Sequence, residues 1–78
     1  MTNKEAEKFK VKFLRDAKYK LYELMSRVDK INDFKKRIEV RRFVNALLNN
    51  AKNNTHNDVT IIMRLLPKFD EYLKSMNL

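Results

Sequence analysis

The stretch DVTIIMRLLPKFDEYLKSMNL, residues 58–78, decides the fold. Val59, Ile62, Leu66, Phe69, Leu73 and Met76 recur at intervals of three and four without a miss. That periodicity places one apolar stripe down one side of a helix. Val59, Thr60, Ile61 and Ile62 are β-branched and favour a strand locally, but no partner strand is evident and the stripe runs on to Met76. Pro67 removes a helical hydrogen bond to the carbonyl of Met63, so a kink or a break is expected there. The stretch is also neutral, in a chain of formal charge +8. It reads as the central element, with the charged segments packed on it. Ile61, Met63, Leu65, Tyr72 and Leu78 lie beside or outside the main stripe, giving more apolar surface than one neighbour covers.

Upstream, residues 2–28 form a second amphipathic pattern. Thr2 and Glu5 have the spacing of a capping box. Phe9, Phe13, Ala17, Leu21, Leu24 and Val28 then recur at helical intervals, with Leu14 and Met25 widening the stripe. One long helix ending near Arg27 is expected. Glu5–Lys8, Asp16–Lys20 and Glu23–Arg27 are spaced for surface ion pairs. At 100° per residue, Lys4, Lys8, Lys12, Arg15 and Lys18 gather opposite the apolar stripe, with Val11, Tyr19 and Tyr22 among them. Cations interleaved with tyrosines can hold phosphates and stack on bases. The plainer reading is a solvated helix back with rings lying on lysine stems. Residues 8–13 also alternate with period two, as a basic strand would. A basic strand before two helices resembles the layout of ribbon-helix-helix DNA-binding proteins. The helical spacing runs straight through residues 9–28, the turn glycine is missing and a third helix is left over, so a helix is expected.

Between these segments the pattern is less regular. Asp29, Asn32 and Asp33 are candidate caps for a middle helix. Ile31, Phe34 and Ile38 share one face, and Val40, Phe43, Val44, Leu47, Leu48 and Ala51 share another, nearly opposite. Either the helix breaks near residues 38–40, or one helix buries two faces, the second against another chain. Lys35, Lys36, Arg37, Arg41 and Arg42 straddle this change of phase with only Glu39 among them, and form the densest basic patch. Its arginines suit bidentate contacts to phosphates or carboxylates. The alternative is that they pair with helix-end carbonyls and nearby acids. Asn49 to Asn57 reads as a polar loop, too long for a helix-turn-helix. His56 falls in it, exposed. Thr55 and Asp58 repeat the capping-box spacing at its end.

Composition narrows the possibilities further. Seventy-eight residues make one domain with a small core. Glycine is absent, which disfavours hairpin folds and leaves left-handed turns to Asn or Asp. Cysteine is absent, so neither a disulfide nor a thiolate site forms, and the cytoplasm is the expected compartment. No apolar run is long enough for a membrane span, and no secretory signal is expected. A lone histidine without cysteine is not a metal site, and no cofactor motif occurs. Ser26 and Ser75 lie in no nucleophile motif, and most carboxylates have a basic neighbour three or four positions away. No enzyme activity is expected. The positive charge lies in the first two thirds: residues 1–30 carry nine basic and five acidic groups, residues 31–54 six and two, and residues 55–78 three and three.

The expected fold is therefore an all-α, up-down bundle of three long helices, or four if the middle one splits. Its surplus apolar faces allow a homodimer or other homo-oligomer. Two functions are expected to compete. One is a non-enzymatic protein-interaction module, a small regulator, adaptor or inhibitor, docking on an acidic macromolecular surface. The other is a nucleic-acid-binding protein making phosphate contacts. The candidate surfaces are the basic-aromatic face of residues 4–22 and the patch of residues 35–42.

Overall fold

Three helices account for nearly all of the chain: α1 (Asn3–Val28), α2 (Phe34–Asn53) and α3 (His56–Ser75). The computed structural model describes residues 3–78, so the capping box expected at Thr2 lies outside the described residues. Every pair of helices is in contact, and the result is an all-α three-helix bundle. At 1.5 Å per residue the 26-residue α1 is about 39 Å long, and the 20-residue α2 and α3 about 30 Å each. The early turns of α1 lie beside the start of α3, and the molecule measures 47 × 20 × 16 Å. Phe43 stacks on Phe69 and Lys36 lies over Tyr72, so α2 and α3 run antiparallel, as an up-down bundle requires.

Each helix is held by the apolar seam its sequence carries. Leu14, Ala17, Leu21, Leu24 and Val28 of α1 are buried, as are Val40, Val44, Leu47 and Ala51 of α2 and Ile62, Phe69 and Leu73 of α3. No polar or charged residue is buried among the described residues, so the core is held by apolar packing alone. Val59, Leu66 and Met76 sit partly buried against it. The role expected of α3 as a central strut is not observed. α3 contributes fewer buried residues than either neighbour, and α1 contributes the longest buried seam.

Asparagine takes the left-handed positions left open by the lack of glycine. Asn54 at the end of α2 has φ 53° and Asn77 after α3 has φ 60°. Asn54 N–H donates to the Asn50 carbonyl at 3.0 Å. At the end of α3, Leu78 N–H donates to Leu73 O and Asn77 N–H to Lys74 O, both at 3.0 Å, which is the Schellman arrangement. Thr55 and Asp58 form the expected capping box at the start of α3, and Asp33 caps α2 by accepting from Lys36 N–H.

One expectation needs correction, and two alternatives left open by the sequence are resolved. The loop expected over residues 49–57 is absent: α2 runs to Asn53, α3 starts at His56, and only Asn54 and Thr55 lie between them. The polar run is two solvated helix ends, and a left-handed Asn followed by an extended, capping Thr turns the chain in two residues. Loop length therefore does not exclude a helix-turn-helix, but the antiparallel packing of α2 on α3 differs from that motif's steep crossing. Secondly, α2 is a single helix with no break at 38–40. The apparent second face came from Ile31, which is buried in the link before α2, and from Phe34, which stays 63% exposed at its first turn. Thirdly, Pro67 does not end α3, which continues to Ser75 with Pro67 inside it, on the exposed side.

Candidate docking surface

The outward side of α1 carries the first candidate surface. Lys4, Lys8, Lys12, Arg15, Lys18, Tyr19 and Tyr22 are all exposed. Tyr19 retains 73% of its full exposure, and Tyr22 and Val11 63% each. None of the five cations has an ion-pair partner among the described residues. Arg15 and Lys18 sit on the length of α1 whose opposite side is fixed in the core from Leu14 to Val28, and Lys4, Lys8 and Lys12 sit on the turns before it. Uncompensated charge at fixed spacing on a straight helix gives a positive field over one side of the molecule.

The second candidate, at the start of α2, is partly used up within the fold. Arg37 donates from Nη1 to the Ile31 carbonyl at 3.2 Å, and its guanidinium lies 5.5 Å from the centre of the Phe34 ring. Arg41 Nη1 is 3.5 Å from Asp29 Oδ1. Lys36 Nζ is 5.8 Å from the centre of the Tyr72 ring. Arg37 and Arg41 thus brace the link between α1 and α2, and Lys36 joins α2 to α3. Lys35 and Arg42 are exposed and have no such contact among the described residues. The two candidate surfaces do not merge. The antiparallel course of α2 sets residues 35–42 beside the last turns of α1, while Lys4 to Lys18 run from its first turn into the fifth.

A third cluster, of which sequence spacing foresaw only the Glu23–Arg27 pair, joins α1 to α3. Asp70 of α3 accepts from Arg27 Nη1 at 2.7 Å, with Lys74 Nζ at 3.4 Å and Lys20 Nζ at 3.7 Å from its carboxylate. Arg27 also donates to the Leu78 carbonyl, from Nε at 2.9 Å. Glu23 completes the cluster, 3.0 Å from Lys20 and 3.4 Å from Arg27. The Arg27 hydrogen bond holds the Asp70 carboxyl below its ordinary pKa, helped by the charges of Lys20 and Lys74 and opposed by partial desolvation. Glu23 is lowered too, first by its hydrogen bond from Lys20. The Asp16–Lys20 pair expected from spacing does not form, because Lys20 turns to Glu23 and Asp70 instead. The available signal was that Lys20, Glu23 and Arg27 share one flank of α1.

Where α1 passes the start of α3, Phe9, Val59, Met63 and His56 line a shallow groove of about 450 Å³. His56 is the first residue of α3 and not a loop residue. Among the described residues no three His, Asp or Glu side chains converge as a metal site, and no helix is long and apolar enough to cross a membrane.

Compared with known proteins, the chain matches no protein-family model, no curated protein and no solved structure. The fold and its surface define it instead, as an all-α three-helix bundle with one basic, aromatic-bearing helix face.

Proposed function

We propose that the protein is a non-enzymatic, cytoplasmic interaction module that docks through the outward face of α1 on an acidic macromolecule. The observation carrying this reading is the face itself: five exposed cations without ion-pair partners among the described residues, with Val11, Tyr19 and Tyr22 exposed among them. Charge alone steers association and suppresses wrong partners. Tyrosine beside cations adds the contacts that dominate protein interfaces. A small adaptor, regulator or inhibitor acting on an acidic protein fits this surface. A contribution from Lys35 and Arg42, the two cations of the α2 patch without such contacts among the described residues, is secondary.

The runner-up is nucleic-acid binding by the same face. Tyr19 and Tyr22 are exposed enough to stack on unpaired bases, and the cations would take phosphates. Such binding loses affinity steeply with salt.

Anisotropy titrations of the protein into labelled poly-glutamate, duplex DNA and single-stranded RNA at two salt concentrations test the proposal. Reversing Lys8 and Arg15 together to Glu should abolish binding, and reversing Lys35 and Arg42 should change it little. Absence of binding to every polyanion, or dominance of the α2 pair, would overturn the proposal.

A further inference from the structure

Lys4, Lys8, Val11, Arg15, Lys18 and Tyr22 follow one another at alternating intervals of four and three. That alternation keeps side chains in a nearly straight line along a helix and is the spacing at which one helix meets another lengthwise. α1 carries it twice. The first seam, from Leu14 through Ala17, Leu21 and Leu24 to Val28, is buried in the core. The second lies on the outside, and all six of its residues are exposed. Its composition matches nothing the bundle itself offers. Four of the six positions are cationic, so a second copy of the same face would set charge against like charge. The remaining two, Val11 and Tyr22, are apolar and 63% exposed.

We propose that the occupant of this outer seam is an acidic amphipathic helix. Its carboxylates face Lys4, Lys8, Arg15 and Lys18, and its apolar side chains cover Val11 and Tyr22. The inference rests on the reading of α1 as a docking face and adds the shape and chemistry of the partner. The seam spans about 27 Å, so the partner needs about five turns. A polynucleotide would neutralise the four cations but brings little aliphatic surface to Val11. Because α1 is already helical along the whole seam and backed by the core from Leu14 onward, ordering entropy is lost mainly by the partner.

The test uses two peptides of about 20 residues and identical composition. The first places Glu and Leu at the alternating intervals and is helical by circular dichroism. The second is scrambled so that no stripe forms. Both are titrated into the full chain by calorimetry beside a DNA duplex. The striped peptide should bind at least about tenfold more tightly than the scrambled one. Val11→Asp should remove that advantage, and Lys8→Glu with Arg15→Glu should abolish binding, all with the helical spectrum of the protein retained. Equal binding of the two peptides would overturn the helical partner while leaving the docking face intact. Tighter binding of the duplex than of either peptide would overturn it in favour of a nucleic acid. No binding of any probe would overturn both the partner and the docking face.

Discussion

Arg27 of α1 donates from Nη1 to Asp70 of α3 across 2.7 Å, and the same guanidinium donates from Nε to the carbonyl of Leu78. Both side chains are mostly shielded, with 16% and 19% of their exposure left. One arginine thus ties the last turn of α1 to the second half of α3 and to the chain beyond it. A charge-assisted hydrogen bond in such a setting is worth about 1.5–3 kcal/mol. Asp70→Asn and Arg27→Met should each lower the free energy of unfolding by about that amount in urea denaturation. The double mutant should lose less than the sum of the two. Additive losses would show that the pair is not coupled.

The same cluster makes stability depend on pH. Asp70 and Glu23 both titrate below their ordinary values in the folded state, Asp70 chiefly through Arg27 and Glu23 chiefly through Lys20. In the unfolded chain each recovers its ordinary pKa and binds its proton first as pH falls. The unfolded state therefore holds more protons in that window, and stability rises with pH there. The stabilisation is complete above the ordinary carboxylate range and fades below about pH 4. Melting temperatures measured from pH 6 down to pH 2 should fall in the acid limb, and Asp70→Asn should shallow that fall. An unchanged slope in Asp70→Asn would remove Asp70 as its source.

The two left-handed asparagines should behave as substitutes for glycine. Asn54→Gly and Asn77→Gly should leave thermal stability within a few tenths of a kcal/mol, or raise it, because glycine reaches positive φ freely. Asn54→Ala should cost up to about 1 kcal/mol, because alanine keeps the Cβ but loses the short polar side chain that lets asparagine tolerate positive φ. Thr55→Ala should cost about as much by removing the cap of α3. A neutral Asn54→Ala would mean that the link between α2 and α3 does not depend on that conformation.

Pro67 lies inside α3 on its exposed side, so its ring contributes little to the core, and the Met63 carbonyl lacks its helical donor. Pro67→Ala should therefore stabilise the protein by about 1–3 kcal/mol. For a domain of this size each kcal/mol raises the midpoint by roughly 4–8 °C. A lower midpoint would show that Pro67 is needed for α3 to follow its neighbours.

The elements of this fold were readable where periodicity was long. The seams of α1 and α3 run for five turns or more, and a pattern of that length has one physical solution. The need for asparagine at left-handed positions followed from the missing glycine. The two-residue link was not readable, because asparagines in a solvated last turn look the same in sequence as asparagines in a loop. Only the burial of Leu47 and Ala51, which holds that turn in place, separates the two. The Arg27–Asp70 bond was out of reach for a different reason. Its partners are 43 residues apart, and they meet only through the rotation of α1 against α3 set by the core. On the surface, helical geometry identified both basic faces. It did not reveal that Arg37 is spent on the Ile31 carbonyl and Arg41 on Asp29, which leaves the α1 face as the stronger candidate.

The most direct test of the α1 face as the docking surface is a residue-by-residue map of where an acidic ligand lands. Amide chemical shifts of the isotope-labelled protein would be followed as the striped acidic peptide is added. Shifts concentrated between Lys4 and Tyr22, with the side-chain signals of Tyr22 and Val11 among the most perturbed, are the predicted result. Shifts centred on residues 35–42, or spread evenly over every lysine and arginine, would contradict it.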